Sequence, residues 1–172
     1  IPQIVATANA CASAGADAMH FHVRDDDKVH ILDAGLYREA LGELALAVPD
    51  MHLQITTETV GRYGPEDMRK VTHETRPPGA SIGVPEMMPT GAPTAEDCAF
   101  YSWLAEQGIL TQHICYAPDQ LRLLGQLLRA ADLPRSDVWC LFVIGHYTGA
   151  ISYPAAIDEY LAVMTDEGID GD

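Results

Sequence analysis

Two histidines, His20 and His22, have the spacing in this sequence that points most directly to chemistry. They lie two positions apart in an apolar segment, and a β-strand points alternate side chains to the same face, so both imidazoles would project together. Desolvating two neighbouring imidazoles is costly unless a ligand compensates, and neutral imidazole is a common Zn²⁺ ligand. The spacing therefore predicts a shared metal ion. The alternative is a pair of core histidines, each satisfied by hydrogen bonds.

The residues that follow the pair lie at the expected exit of its strand. Arg24 could hold a substrate carboxylate through two hydrogen bonds, or it could pair with the aspartates after it or with another loop. Asp26 and Asp27 are expected to be turn residues, because Asp is common where a strand turns into a connection. His30 and His73 fall in turn and helical contexts, where we expect them to be solvated.

The elements that must position these residues alternate between helical and strand patterns. Asp33 is a typical N-cap, and Pro65, Pro93 and Thr94 are typical of helix starts. Predicted strands cover 16–23, 52–57, 79–84, 110–116 and 138–145. Predicted helices cover 3–14, a segment that Asp33 caps and that runs to about Ala47, a segment from Glu66, 93–108, 119–131 and about 154–165.

This order favours a parallel sheet with right-handed crossovers, since consecutive strands are about 25 to 30 residues apart. Two architectures fit: a (β/α)8 TIM barrel, which has eight strands and ~250 residues, and a doubly wound, flavodoxin-like sheet of five strands. A flavodoxin-like domain normally begins with a strand, whereas here a helix comes first. We therefore predict that residues 1–172 form one partial TIM-barrel domain whose first and last strands are missing.

Composition narrows the function further. The 172 residues carry ten Lys and Arg against twenty-five Asp and Glu, a formal net charge of −15 that disfavours nucleic acids and anionic membrane surfaces. No apolar run approaches the ~20 residues that span a bilayer, so we expect a soluble protein. The cysteines contain no C-x-x-C pair, which favours a reducing cytoplasm and four small, packed side chains. They are Cys11, Cys98, Cys115 and Cys140.

A longer pattern surrounds the two histidines. Residues 19–25 are M-H-F-H-V-R-D, followed by Leu32-Asp33 and by L-Y-R-E at 36–39. This run resembles the H-x-H-V-R-D and L-D-x-x-L-Y-R-E segments of the β-keto acid cleavage enzymes, typified by 3-keto-5-aminohexanoate cleavage enzyme. The ITTET, GASIGV and LFVIGHYTG segments resemble that family more loosely, in the same order. The resemblance covers the first forty residues with high specificity.

The resemblance implies a (β/α)8 barrel that binds Zn²⁺ through His20, His22 and a glutamate of a G-L-E-D-N-like motif. The printed sequence ends at Asp172 before any such motif, so we expect the third ligand and the adjacent catalytic aspartate outside it. The family's first strand is also expected to precede Ile1. The implied reaction converts a small-molecule β-keto acid and acetyl-CoA into acetoacetate and a new acyl-CoA by retro-Claisen cleavage, in a homo-oligomer that is a tetramer in relatives.

Zinc would act in that reaction as a Lewis acid on the keto oxygen. Hydroxyls at strand ends, those of Thr56, Thr57 and Ser81, would hold the carboxylate or the oxyanion, although such hydroxyls also bond to nearby backbone. Glu58 could orient a ligand or face water. No phosphate-binding glycine motif occurs, so CoA would be held by loops, with Arg62 and Arg69 as the nearest basic candidates.

Two rival functions remain open at this point. Amidohydrolase-type metal hydrolases also combine H-x-H on an early barrel strand with single histidines on later strands, which His113 and His146 could supply; their metal activates water. In those enzymes, however, H-x-H lies on the first strand. A metal-stabilised binding domain without catalysis would need a closed tetrahedral site, for which the sequence offers no complete Cys/His set.

Overall fold

The computed structural model describes residues 1–145 and 153–170, and within them the predicted alternation of helices and strands is present. The strands are β1 (Ala18–Phe21), β2 (His52–Thr56), β3 (Gly79–Gly83), β4 (Leu110–Cys115) and β5 (Cys140–Phe142). The helices are α1 (Pro2–Ser13), α2 (Ala34–Ala47), α3 (Pro65–Thr75), α4 (Val84–Met87), α5 (Ala95–Glu106), α6 (Asp119–Ala130) and α7 (Ile157–Glu167). The last predicted helix begins as a 3-10 turn at Pro154–Ala156, and α4 was not predicted.

The order of the strands distinguishes the two architectures. They follow one another across the sheet as β1-β2-β3-β4-β5, and the pairs β1 with β2, β2 with β3, and β4 with β5 are parallel. A flavodoxin-like sheet would instead place its first strand between the second and the third. Strands in chain order that alternate with helices are the arrangement of a TIM barrel. The chain is therefore a partial TIM barrel, as predicted.

Capping residues fix the helix starts that flank the first three strands. The Asp33 carboxylate accepts a hydrogen bond from the Leu36 N–H at 2.8 Å and so satisfies an unpaired donor of the first turn of α2. Pro65 occupies the first position of α3, where its missing N–H costs nothing. The Gly64 N–H also donates to the Asp67 carboxylate at 2.9 Å. Both starts agree with the predicted boundaries.

The chain divides into two compact units, and each has its own core. The first unit comprises Ile1–Ser81 and Gln107–Leu110, and the second comprises Ile82–Glu106 and Thr111–Asp172. The fully buried side chains of the first unit include Tyr37, Leu44, Ile55 and Met68, and those of the second include Ile82, Leu121, Leu124 and Leu127. One domain over 1–172 stays a prediction.

Strand alternation in the first unit decides which side chains face the helices. Phe21 on β1 is 3% exposed, and its ring lies 5.7 Å from the ring of Tyr37 on α2. Val23 is buried as well. Because alternate residues of an extended chain point in opposite directions, His20 and His22 project to the face that α2 does not cover.

One acidic side chain joins helices α6 and α7 in the second unit. The Glu167 carboxylate lies 2.7 Å from the Arg129 guanidinium and 3.5 Å from that of Arg122, and the Glu167 carbonyl accepts from Arg135 at 2.6 Å. Its side chain is only 13% exposed. A Cβ added to Gly125 of α6 would clash with the same carboxylate, so this glycine lets α7 approach closely.

The cysteines differ from the prediction in one case. Cys115 is buried and Cys98 and Cys140 are half-buried, but Cys11 is exposed, so the prediction that it packs in the core was wrong. Cys11 lies on α1, whose only buried residue is Ala8, and a helix with so narrow a buried stripe leaves most side chains in solvent. None of the helices among the described residues has the length and hydropathy needed to cross a membrane.

Candidate functional site

The two histidines of the H-x-H motif lie together at the carboxyl end of β1. His20 belongs to the strand, and His22 follows one residue after its end. Their Nε2 atoms are 3.1 Å apart, and the ring centroids are 5.1 Å apart with the planes at 68°. The structure thus brings both imidazoles to one face with the same ring nitrogen turned inward. This is also the end of the strand at which barrels place their active sites.

Gln54 on the neighbouring strand orients the first imidazole. The parallel register pairs His20 with Gln54, and the His20 Nδ1–H donates to the Gln54 Oε1 at 2.7 Å. An amide oxygen only accepts hydrogen bonds, so the proton of a neutral His20 lies on Nδ1 and its Nε2 carries the lone pair. Gln54 is 3% exposed, so its side chain makes this hydrogen bond in the buried part of the sheet.

The second imidazole is held neutral by its surroundings. The pKa of His22 is lowered to about 4, mainly by burial and to a smaller extent by the nearby His20, His30 and Arg24. His22 therefore has an uncharged ring at neutral pH, the form that binds metals. Its Nδ1 is buried without a hydrogen-bond partner among the described residues, and the Glu58 Oε2 atom is 3.9 Å away from it.

Two hydrogen bonds hold the backbone of Glu58 next to the histidines. His30 Nε2–H donates to the Glu58 carbonyl at 2.9 Å, and the Glu58 N–H donates to Thr56 Oγ1 at 3.1 Å. The His30 ring centroid is 4.8 Å from that of His22. His30 is 5% exposed, so the prediction that it is solvated was wrong: the β-bridge between Arg24 and His30 turns the chain back toward the strands.

The strand-end hydroxyls differ in what they already bind. Thr57 Oγ1 donates to the Ser81 carbonyl at 2.8 Å, and Thr56 Oγ1 accepts the Glu58 N–H, so both support the backbone. The Ser81 hydroxyl is buried and has no partner within residues 1–145 and 153–170. Register pairs Thr56 with Ser81 and His20 with Gln54, so all four side chains share one face of the sheet.

Arg24 is exposed and lies beside the histidines. Its guanidinium donates to the Lys28 carbonyl at 3.1 Å, which closes the turn formed by Asp25 to Lys28. Asp26 and Asp27 lie in that turn, as predicted. An open cavity of about 900 Å³ is lined by Arg24, His20 and His22, together with residues of α1. This volume suits a small-molecule ligand.

The donor chemistry of the pair fits a zinc ion. Two nitrogens that bind one tetrahedral Zn²⁺ at ~2.0–2.1 Å lie about 3.3 Å apart, and the Nε2 atoms are 3.1 Å apart. The bond from His20 Nδ1 to an acceptor is the support that metal-binding histidines usually have. Within the described part of the chain, no third His, Cys, Asp or Glu groups with them to hold an ion.

The later histidine does not contribute to such a site. His113 on β4 donates from Nδ1 to the Trp139 carbonyl at 3.1 Å, and its ring stacks on Tyr101 of α5 with the centroids 5.6 Å apart. Burial lowers its pKa to about 4. His113 is therefore a packed core residue of the second unit. His146, the other candidate of the hydrolase hypothesis, lies outside the described residues.

Gln54 and His30 are the site residues that the sequence interpretation missed. Gln54 has a signal in hindsight, since an amide inside the apolar run L-Q-I has to find a buried partner. His30 has no such signal, because its burial depends on how the loop closes.

One of three comparisons with known proteins identifies a family. The model of the family described as "beta-keto acid cleavage enzyme" matches residues 1–170. Among solved structures 23 chains match. One is titled "Crystal structure of a putative lyase/mutase from Burkholderia cenocepacia J2315"; it is 13% identical with a TM-score of 0.43, and the match covers 97% of this chain and 71% of that one. A search of the curated proteins finds no match.

Proposed function

We propose that this chain, which belongs to the beta-keto acid cleavage enzyme family, binds Zn²⁺ through His20 and His22 and cleaves a β-keto acid with acetyl-CoA as co-substrate. The observation that carries the proposal is the pair of Nε2 atoms 3.1 Å apart, with the His20 lone pair turned toward His22 by Gln54. The products would be acetoacetate and a new acyl-CoA. The proposal includes a cytoplasmic homo-oligomer, a tetramer as in relatives.

The two imidazoles hold the ion, and the surrounding side chains hold the substrate. Bound Zn²⁺ supplies Lewis acidity, which stabilises negative charge on an oxygen of the substrate. The Ser81 hydroxyl shares the histidines' face of the sheet and has no hydrogen-bond partner among the described residues, so it is available to donate to a substrate oxygen. The Arg24 guanidinium lines the same cavity and attracts the carboxylate of a β-keto acid.

Thr56 and Thr57 take a supporting part in this proposal. Each hydroxyl already bonds to backbone at the ends of β2 and β3, so they shape the floor of the site and leave Ser81 as the hydroxyl that contacts substrate. The sequence allowed two roles for Glu58, orienting a ligand or facing water. Its carboxylate lies 3.9 Å from His22 Nδ1. The ligand-orienting role fits this position better.

Zinc binding and acetoacetate formation test the proposal separately. The full-length protein is dialysed against Zn²⁺ and its metal content is measured, and it is then incubated with acetyl-CoA and a panel of β-keto acids. We expect about one bound zinc per chain and acetoacetate from at least one acid. His20→Ala and His22→Ala should lose both, and His73→Ala, which changes an exposed helical histidine, should lose neither. Zinc binding that is equal in His20→Ala and the unmodified chain would refute the site.

The hydrolase alternative makes a different prediction. It needs later histidines at the metal, and His113 instead packs on Tyr101 with its Nδ1–H bonded to Trp139. Leaving acetyl-CoA out of the assay separates the two reactions. Turnover of ester or amide substrates by water alone would favour the hydrolase, whereas a strict requirement for acetyl-CoA supports cleavage.

A further inference from the structure

The hydrogen bonds of the site assign a different tautomer to each histidine. A neutral imidazole has one N–H, and that of His20 lies on Nδ1, where it donates to Gln54 Oε1 at 2.7 Å. The 3.1 Å contact between the two Nε2 atoms then requires His22 to supply the N–H, because the His20 Nε2 has only a lone pair. His22 is therefore the Nε2–H tautomer.

The surroundings of His22 Nδ1 agree with this assignment. In the Nε2–H tautomer, Nδ1 is an acceptor, and it is buried without a hydrogen bond from any described residue. The Glu58 carboxylate stops at 3.9 Å, beyond hydrogen-bond distance, as two acceptors do. The two histidines thus differ: His20 already has the lone pair on Nε2 that a shared ion needs, and His22 has a proton there.

We propose that Gln54 and Glu58 are the positioning residues of the metal site. Gln54 holds His20 in its metal-binding tautomer. Glu58 accepts a hydrogen bond from the N–H that His22 gains on Nδ1 when its Nε2 binds the ion. This inference rests on the metal site proposed above. Proton count is conserved in the change: Nε2 of His22 releases its proton to water, and Nδ1 takes one from water. Carboxylate partners of this kind are common for metal-binding histidines.

Glu58 lies where a small movement would bring its carboxylate to His22 Nδ1, whereas Gln54 already makes its hydrogen bond to His20. The backbone of Glu58 is held on both sides, by His30 at its carbonyl and by Thr56 at its N–H, while its side chain is 37% exposed. Closing from 3.9 Å to hydrogen-bond distance takes a movement of about 1 Å. The Gln54 side chain is buried on the sheet and needs no movement.

Nuclear magnetic resonance of the metal-free chain reads the tautomers directly. Long-range ¹H–¹⁵N correlations of ¹⁵N-labelled histidine should show Nδ1–H for His20 and Nε2–H for His22, and addition of Zn²⁺ should convert His22 to Nδ1–H. Gln54→Leu removes the acceptor and should return His20 to a mixture dominated by Nε2–H. Gln54→Glu keeps an acceptor and should keep Nδ1–H. An Nε2–H signal on His20 of the unmodified chain would overturn the inference.

Zinc affinity, measured by competition with a chromophoric chelator, provides the second readout. Gln54→Leu and Glu58→Ala should each weaken zinc binding by about 10- to 100-fold, and Glu58→Gln, whose amide oxygen still accepts, should recover part of the loss. Gln112→Leu on β4 and Glu43→Gln on the exposed side of α2 are matched controls, which should stay within about twofold of the unmodified chain.

The outcomes separate this inference from the proposed function. An unmodified chain that shows these tautomers but binds no zinc would refute the proposed metal site. Zinc bound equally by the unmodified chain, Gln54→Leu and Glu58→Ala would leave the metal site and overturn the positioning roles. If Gln54→Leu does not fold by circular dichroism, Gln54→Glu and Glu58→Ala still decide the matter.

Discussion

The buried His113 is expected to make the stability of the second unit fall in mild acid. Its side chain is 6% exposed, and burial lowers its pKa from the ordinary 6.5 to about 4. Between those two pH values the unfolded chain binds a proton that the folded chain does not, so the free energy of unfolding decreases as the pH falls. The stabilising effect is complete above pH 6.5 and is lost toward pH 4.

The size of the effect follows from the two pKa values. Integrating proton binding between pH 7.5 and pH 5 gives a loss of about 2 kcal/mol in the free energy of unfolding. Urea titrations followed by tryptophan fluorescence suit the measurement, because both tryptophans of the chain, Trp103 and Trp139, belong to the second unit. Above pH 5 most carboxylates remain ionised, which keeps their contribution small.

His113→Asn is the matched control, since its amide N–H can donate to the Trp139 carbonyl as Nδ1–H does but cannot titrate. We expect this variant to lose about 2 kcal/mol less than the unmodified chain over the same pH range. Equal slopes in the two proteins would show that His113 is already protonated or solvated, and would refute the assignment of this histidine to the core.

Two further pairs of substitutions test the packing. Gly79→Ala would place a Cβ 2.7 Å from the His52 ring and should destabilise the chain by ~1–3 kcal/mol. Gly42→Ala inside α2 would meet no atom of the described residues within 4 Å and should stabilise the chain by ~0.5–1 kcal/mol. The urea midpoints of the two variants should therefore shift in opposite directions. Leu124→Ala should cost ~2–5 kcal/mol because Leu124 is fully buried, and the exposed Leu161→Ala should change the urea midpoint little. Equal effects in either pair would contradict the described burial.

Periodicity predicted the parts of this fold that depend on local sequence. Helix α2 begins after Asp33 as expected, because an N-cap carboxylate works through its own first turn. The H-x-H spacing predicted two imidazoles on one face, since the alternation of a strand is a local property. The four-residue α4 escaped prediction because one turn of helix gives no periodic signal.

Contacts between segments distant in sequence were not predictable in the same way. Gln54 meets His20 because of the register between β1 and β2, and the sequence of either strand alone does not contain that register. His30 is buried because its loop returns to the sheet, which no turn signal specifies. The shared face of the two imidazoles was therefore predictable from the motif, and their contacts with Gln54 and His30 were not.

The packing of Gly125 against Glu167 constrains how the sequence can change. Any side chain at position 125 would need the space that the Glu167 carboxylate occupies, and the carboxylate cannot move without releasing Arg122 and Arg129. Substitution at either position alone is unfavourable, while a larger residue at 125 together with a shorter one at 167 restores the fit. Homologous sequences should therefore show covariation between these two positions, 42 residues apart in the chain.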